Sequence, residues 1–354
     1  MTRSNRTRTA RRVGGTSRAG GAPRTGASIA DGTSAPRTSA ARAALLAVLV
    51  GMALFALVLG GCGKGAATQS TSSGSATTAA SAFPATITDD ASHTITVKTE
   101  PTRIISLAPA DTEILFALGL GDKVVGVTSY DDYPSEVASI TKVGDFVGPN
   151  VEAVAAAKPD LIFATNGVQA DVVKKLSALG APVVVIDPKS LASVYTDIGR
   201  VGTITGTSDE AGKLVGRMKE RVALIQREVS GKAKPTAFIE IGQSPLYTAG
   251  KGTLMDELIT LAGGTNVVTQ PGYIPYSAEQ LVKADPAVYF ATKGSTNDPT
   301  AIEKRPGYAS LSAVKNHRIV IVADDVVSRG GPRIVDGLSA IAKGLHPDAL
   351  NASQ

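Results

Sequence analysis

The side chains that could carry out chemistry are few and scattered in this chain. Among 354 residues there is one cysteine, Cys62, and there are three histidines, His93, His317 and His346. They form no cluster with the spacing of a zinc or iron site, and we expect the histidines to lie on the surface. The chain also lacks a G-x-S-x-G nucleophile elbow, a P-loop and a G-x-G-x-x-G turn. The sequence therefore predicts neither an enzyme nor a resident cofactor or metal.

Two pairs of adjacent acids, Asp131-Asp132 and Asp324-Asp325, follow predicted strands. Carboxylates at such positions can act as general acids or bases, so an enzyme that uses them as catalysts is one alternative. Aspartates also cap loops by accepting hydrogen bonds from the backbone. Because no nucleophile or metal cluster accompanies the two pairs, we favour loop capping.

The first 61 residues differ from the rest of the chain in charge. The whole chain has a formal charge of +5, but residues 1–61 contain nine arginines, no lysine and a single acid, Asp31. From Cys62 onward, 27 basic residues face 30 acidic ones. An acidic body lacks the basic face that nucleic-acid binding requires.

An uncharged stretch, residues 43–59, follows the arginine-rich segment, which is the order of regions in a signal peptide. Leu59 and two glycines precede Cys62 and resemble the lipobox of bacterial lipoproteins, in which the cysteine is acylated. An uncleaved transmembrane anchor is the alternative. Residues 63–83 are rich in Ser, Thr, Ala and Gly, which predicts a flexible tether. Either form of anchor places the body outside the cytoplasm.

Apolar, β-rich runs alternate with helical patterns in the body, which predicts an α/β fold with parallel sheets covered by helices. The predicted strands are 104–107, 124–127, 161–164, 183–186, 236–241, 288–291 and 319–322. The predicted helices are 111–118, 151–157, 172–179 and 334–343.

A long helix interrupts this alternation. Thr207 and Glu210 have the spacing of a capping box, which predicts a helix that begins at Thr207, runs to about Val229 and stops at Gly231. At 1.5 Å per residue this helix is roughly 33 Å long, enough to cross a small domain.

An internal repeat relates the segments on either side of this helix. Residues 157–165 resemble residues 284–292 at a constant offset of 127, and a glutamate precedes the proline of each segment by seven residues. These acids, Glu152 and Glu279, are expected in the first turn of a short helix, where the helix dipole favours a carboxylate. Two matched acids could also dock a two-fold symmetric partner. The pairing favours docking over a purely structural or adhesive protein.

Several motifs in order make the body similar to the periplasmic binding proteins that serve ABC importers of cobalamin and ferric siderophores. The resemblance covers residues 100–347 and rests on these segments: 103–113, 126–134, 150–152, 158–161, 247–251, 261–266 and 332–334. It implies two Rossmann-like βα lobes, a single long helix between them and a ligand cleft between the lobes. The implied organisation is a signal peptide (1–61), a tether (62–83), an N-terminal lobe (84–190), a helical linker (191–232) and a C-terminal lobe (233–354).

The resemblance also implies partners. In this family a glutamate from each lobe pairs with arginines of the two permease subunits, and the matching positions are Glu152 and Glu279. We therefore expect a monomeric receptor, anchored to the membrane by a lipid on Cys62, that delivers its ligand to an ABC permease dimer with its ATPase subunits.

The implied ligand is a corrinoid, with ferric siderophores and haem as alternatives. The positions that match the cleft of cobalamin-binding members are Tyr130, Phe146, Tyr247, Tyr273, Asp325 and Arg329, the last two on a loop. Phe146, Tyr273 and Thr165 replace tryptophans of those members. Aromatic faces suit a planar macrocycle. An anionic siderophore would instead need arginines, which Arg305, Arg329 and Arg333 could supply, and haem would need a tyrosine ligand to its iron.

Overall fold

Residues 82–350 are described by the computed structural model. The predictions for residues 1–61, for Cys62 and for most of the tether therefore lie outside the described residues. The strands are β1 (Ala85–Thr88), β2 (Thr94–Val97), β3 (Ile104–Ser106), β4 (Val124–Gly126), β5 (Leu161–Ala164), β6 (Val183–Val185), β7 (Thr236–Gln243), β8 (Leu246–Ala249), β9 (Thr265–Asn266), β10 (Tyr273–Pro275), β11 (Val288–Thr292) and β12 (Ile319–Val322). The α-helices are α1 (Pro109–Ala117), α2 (Val151–Ala156), α3 (Ala170–Ser177), α4 (Leu191–Thr205), α5 (Ser208–Val229), α6 (Leu254–Leu261), α7 (Ala278–Ala284), α8 (Pro299–Glu303), α9 (Ser312–Lys315), α10 (Asp324–Ser328), α11 (Ile334–Leu345) and α12 (Pro347–Leu350).

The first lobe is built on a four-stranded sheet in the order β4-β3-β5-β6, and all its strands are parallel. Every residue of β3, β5 and β6 is buried, as expected for a sheet covered on both faces. The four strands predicted for this lobe are confirmed, and so is their parallel arrangement. A separate antiparallel hairpin, β1-β2, precedes them and had no signal in the apolar pattern.

The second lobe has a mixed sheet in the order β10-β8-β7-β11-β12, with β9 also paired to β7. β7, β9, β11 and β12 are parallel, and β8 and β10 are antiparallel additions. The three strands predicted for this lobe are confirmed as parallel neighbours, whereas the sequence analysis predicted no strand at β8 or β10. Neither strand is a continuous apolar run, because both lie on the outer side of β7 with residues exposed.

Two helices carry the chain from the first lobe to the second. α4 has 15 residues and α5 has 22, and Gly206 between them takes a φ of +77°. The helices approach closely, because a Cβ placed on Gly202 would lie 2.5 Å from Cβ of Ala211. The long helix begins and ends close to where the sequence predicted, and the α/β fold with two lobes and a long connecting helix is confirmed.

The predicted capping box is wrong. Thr207 makes no side-chain cap, and its hydroxyl lies 2.9 Å from the hydroxyl of Thr205 instead. The preceding helix ends only two residues earlier, so Thr207 has a φ of −114° and a ψ of 39°, which turns its side chain towards the end of α4.

The three histidines were expected to lie on the surface. His93 and His317 have exposed side chains, but His346 is buried at the end of α11, so its surface assignment is wrong. Within residues 82–350, no helix is long and apolar enough to cross a membrane.

Candidate ligand cleft and interlobe contacts

A cleft with a volume of about 360 Å³ lies between the two lobes. The first lobe contributes the segments that follow β3, β4, β5 and β6, and the second lobe contributes α10 and the residues after it. The carboxyl ends of parallel strands lie at one edge of a sheet, which is where ligands bind in open α/β folds. The cleft brings together four of the residues predicted to bind ligand. They are Tyr130, Phe146, Asp325 and Arg329.

Two aromatic rings form one wall of this cleft. The ring centroids of Tyr130 and Phe146 are 6.4 Å apart, with an angle of 58° between their planes. Tyr130 is 59% exposed although it has a large aromatic ring. Exposed aromatic surface in a cavity provides area that a ligand can cover.

Gln169 holds this wall in place, and the sequence analysis missed it. The side chain is completely buried, and its Nε2 donates hydrogen bonds of 2.7 Å to the carbonyl oxygens of Leu107 and Phe146. Its Oε1 accepts a hydrogen bond of 3.0 Å from the backbone N–H of Thr165. One amide therefore connects the segments that follow β3, β4 and β5. No local pattern around Gln169 marks it, because two of its three partners, Leu107 and Phe146, are distant in sequence.

Arg329 lies at the junction of the lobes and is surrounded by carboxylates. Its guanidinium donates to Glu113 at 3.2 Å and to Asp132 at 2.6 Å, both in the first lobe. It also pairs with Asp325, at 2.7 Å. The hydrogen bond from Arg329 lowers the pKa of Asp132, and the carboxylates raise the pKa of Arg329 despite its burial. The charge of this arginine is therefore compensated within the protein.

The other two arginines considered for an anionic ligand are also bonded. Arg333 pairs with Glu113 and stacks its guanidinium 4.0 Å from the ring centroid of Tyr133. Arg305 forms an ion pair with the fully buried Glu240, away from the residues that line the cleft. All three arginines that were expected to serve an anionic siderophore therefore pair with carboxylates of the protein, and none of them has a free guanidinium group.

The aspartate pairs behave as loop caps at their first members. Asp131 accepts a hydrogen bond of 2.9 Å from the backbone N–H of Thr128, and Asp324 accepts one of 2.7 Å from Gly294. Asp325 was expected on a loop, but it lies in the first turn of α10. That expectation is wrong because residues 324–328 form a short helix.

Tyr247 and Tyr273 are not among the residues that line the cleft. They sit on the neighbouring antiparallel strands β8 and β10, where Pro275 pairs with Tyr247. Their side chains are 38% and 50% exposed. Their role in ligand binding stays a prediction.

Glu152 and Glu279 occupy matching positions in α2 and α7. Each is the second residue of a capped helix, because Asn150 accepts a hydrogen bond from Ala153 N and Ser277 accepts one from Gln280 N. Both glutamates are exposed, and neither has an ion-pair partner within residues 82–350. The repeat extends to the backbone, since Lys158 and Asp285, also 127 residues apart, take φ values of +48° and +42°.

Comparison with known protein families matches residues 104–326 to the family described as periplasmic binding protein. The chain belongs to this family. The match includes α1, which carries Glu113, and both helices with the matched glutamates.

Three known proteins are similar to this periplasmic binding protein, and the name of the first one states a role in an ABC transporter. A Bacillus subtilis protein named as an uncharacterized ABC transporter substrate-binding lipoprotein, YvrC, is 38% identical over 87% of this chain and 98% of its own. A vitamin B12-binding protein of Salmonella paratyphi A is 31% identical over 66% of this chain and 86% of its own. The structure of a periplasmic heme-binding protein, RhuT from Roseiflexus, aligns with a TM-score of 0.65 and 26% identity, over 70% of this chain and 98% of that one.

The family is one of substrate-binding proteins of ABC importers, and this chain shares its two-lobed α/β architecture. The resemblance drawn from the sequence is therefore confirmed. Vitamin B12 and haem both occur as ligands in the names of its relatives.

Proposed function

We propose that this protein captures a cobalamin-like corrinoid in the interlobe cleft and delivers it to an ABC permease. The similarity to a vitamin B12-binding protein supports the ligand class. The paired rings of Tyr130 and Phe146 in the cleft wall support a planar macrocycle, because such rings bury apolar area and make face and edge contacts.

The charge of the cleft favours a neutral ligand over an anionic one. Asp111, Asp187 and Asp325 line it as acids, and Arg329 is the one basic residue among its lining residues. Because Arg329 already contacts three carboxylates, an anionic ligand would meet net negative charge. A corrinoid whose periphery carries neutral carboxamides avoids this repulsion.

Haem is the second candidate, favoured by the likeness to a heme-binding protein. Tyr130 in the cleft could ligate the iron. The two propionates of haem would, however, need cations, and Arg329 and Arg333 are already bonded to carboxylates. A ferric siderophore with acidic donors meets the same obstacle, so the corrinoid is preferred.

We expect delivery of the ligand to the permease to depend on Glu152 and Glu279. Two exposed carboxylates at matching positions, one on each lobe, can each face one subunit of a two-fold symmetric permease. Exposed carboxylates without ion-pair partners within the described part of the chain are available to arginines of a partner.

A lipid on Cys62 would hold the protein on the outer face of the cell membrane, and the tether before residue 84 would let the body move to the permease. The protein acts as a monomeric receptor without catalysis. The lipoprotein in the name of the Bacillus subtilis relative supports the anchor.

Calorimetric titration tests the ligand. The purified protein is titrated in parallel with cyanocobalamin, haem and a ferric hydroxamate siderophore. We expect one-to-one binding of the corrinoid and little heat from the other two. Binding of haem or siderophore without binding of cobalamin would keep the receptor role and overturn the proposed ligand.

A further inference from the structure

Asp111 in the wall of the cleft has an unusual environment for an aspartate. It lies in the first turn of α1, is 1% exposed, and is one of the residues that line the cleft. Its Oδ2 is buried and has no hydrogen-bond partner within residues 82–350. A buried polar atom without a partner costs free energy, so such a group in a cleft points to a ligand that completes its hydrogen bonds.

Carboxylates surround Asp111 from four other segments. Their charges come from Asp131 after β4, Asp187 after β6, Asp197 in α4 and Asp90 after β1. Burial and these four charges raise the pKa of Asp111 well above its usual value. The protonated form of Asp111 is therefore favoured, and a carboxylic acid has one O–H donor.

The neighbouring acids each have a partner of their own. Arg200 pairs with both Asp90 and Asp197. The side chain of Lys189 lies 2.6 Å from Asp187. Asp131 accepts hydrogen bonds from the hydroxyl groups of Thr112 and Thr128, and the ammonium group of Lys142 donates to the backbone carbonyl oxygen of Asp131. The two other cations and the two hydroxyl groups thus bind other carboxylates, which leaves Asp111 to the cleft.

We propose that Asp111 is a specificity-determining residue that donates a hydrogen bond to a neutral carbonyl oxygen of the ligand, such as that of a corrinoid side-chain carboxamide. The inference rests on the proposed function. A carboxylate at the same place on a ligand would meet four acidic neighbours and be rejected, because like charges at close range in a cavity repel strongly. Asp111 thereby distinguishes an amide from an acid at the ligand periphery.

Affinity for cyanocobalamin, measured calorimetrically on the purified protein, tests this role. We expect Asp111→Ala to weaken binding about tenfold, the effect of one lost hydrogen bond, because alanine has no donor. Asp111→Asn keeps an N–H donor and the shape of the side chain, so its affinity should stay within about threefold of the wild type. Asp209→Ala is the matched control, since Asp209 is exposed in the first turn of α5.

Two further readouts separate a ligand contact from a structural role. In the ligand-free protein, Asp111→Ala should not lower the free energy of unfolding, because it removes a buried group without a partner. The wild-type affinity should fall as the pH rises and Asp111 ionises, whereas the affinity of Asp111→Asn should lack this component. Equal pH slopes in both proteins, or a loss of stability that accompanies the loss of affinity, would overturn the inference.

Failure of the inference is distinguishable from failure of the proposed function. If the wild type binds cyanocobalamin and Asp111→Ala binds it equally well, only the role of Asp111 is wrong. If the wild type does not bind cyanocobalamin, the proposed ligand is wrong and the inference falls with it.

Discussion

Glu113 and Arg333 are 220 residues apart in sequence and form a two-point ion pair across the two lobes. Nε and Nη2 of Arg333 donate to Oε2 and Oε1 of Glu113 at 2.9 and 2.5 Å. The side chain of Glu113 is only 2% exposed, and its carboxylate raises the pKa of Arg333. Since a guanidinium and a carboxylate match in geometry, this pair fixes both the distance and the relative orientation of the lobes.

Glu113→Gln should lower the free energy of unfolding by roughly 3 kcal/mol, because it removes one partner of a buried pair. Urea denaturation measures the change. Asp336→Asn is the control, since it breaks the pair of Arg221 and Asp336, whose side chains are 51% and 45% exposed. The control should lose under about 1 kcal/mol. Equal losses in both variants would show that the pair across the lobes has no special weight.

Reversing the charges of both Glu152 and Glu279 to lysine should abolish cobalamin uptake and leave ligand affinity unchanged. The reason is that both are exposed and neither is among the residues that line the cleft. Uptake is measured in cells whose only copy of the protein is the variant. Glu210→Lys, an exposed glutamate in the first turn of α5, is the control and should transport normally. Normal transport by the double variant would refute the docking role.

Phe146→Ala should weaken corrinoid binding by roughly 10- to 100-fold, the equivalent of about 1.5–3 kcal/mol for an apolar side chain that the ligand covers. Tyr130→Ala should have a similar effect. Titration of each variant with cyanocobalamin measures it. Leu224→Ala removes an apolar side chain that is 51% exposed on α5 and should bind as the wild type does. Unchanged affinity in both aromatic variants would place the ligand elsewhere.

Gln169→Met should destabilise the protein by about 2 kcal/mol and weaken ligand binding, because it leaves two buried carbonyl oxygens and one N–H without partners. Methionine has a similar volume, so packing is largely kept. Gln226→Met, on the exposed face of α5, should change neither quantity. Loss of stability with full affinity would mean that Gln169 supports the fold but not the cleft wall.

The stability of the protein should depend on pH through Asp197. Burial and the charge of Asp90 raise the pKa of Asp197 to about 7, whereas in the unfolded chain it lies near 4. The folded state then binds the extra proton, so this contribution is present below about pH 4 and is lost as the pH rises through about 7. Asp197→Asn should flatten the pH profile of the unfolding free energy between these values. An unchanged profile would contradict the assignment.

Much of the fold is encoded locally. Short apolar runs such as residues 161–164 and 288–291 identified buried strands, because a strand covered on both faces needs apolar side chains at every position. The strands β8 and β10 escaped prediction, because short strands with exposed residues have no such pattern. The capping box predicted at Thr207 is absent, because the end of α4, two residues earlier, determines the backbone conformation of Thr207.

The sequence by itself determined the two lobes, the long helix between them, the family and the matched positions of Glu152 and Glu279. These follow from periodicity, from internal repetition and from motifs that are continuous in the chain. Only the tertiary structure decided that Arg329 and Arg333 are bonded to carboxylates, that Gln169 joins three segments, and that Oδ2 of Asp111 is buried with no hydrogen-bond partner among residues 82–350. Each of these depends on groups brought together from distant segments, and their separations and exposure to water exist only in the folded chain.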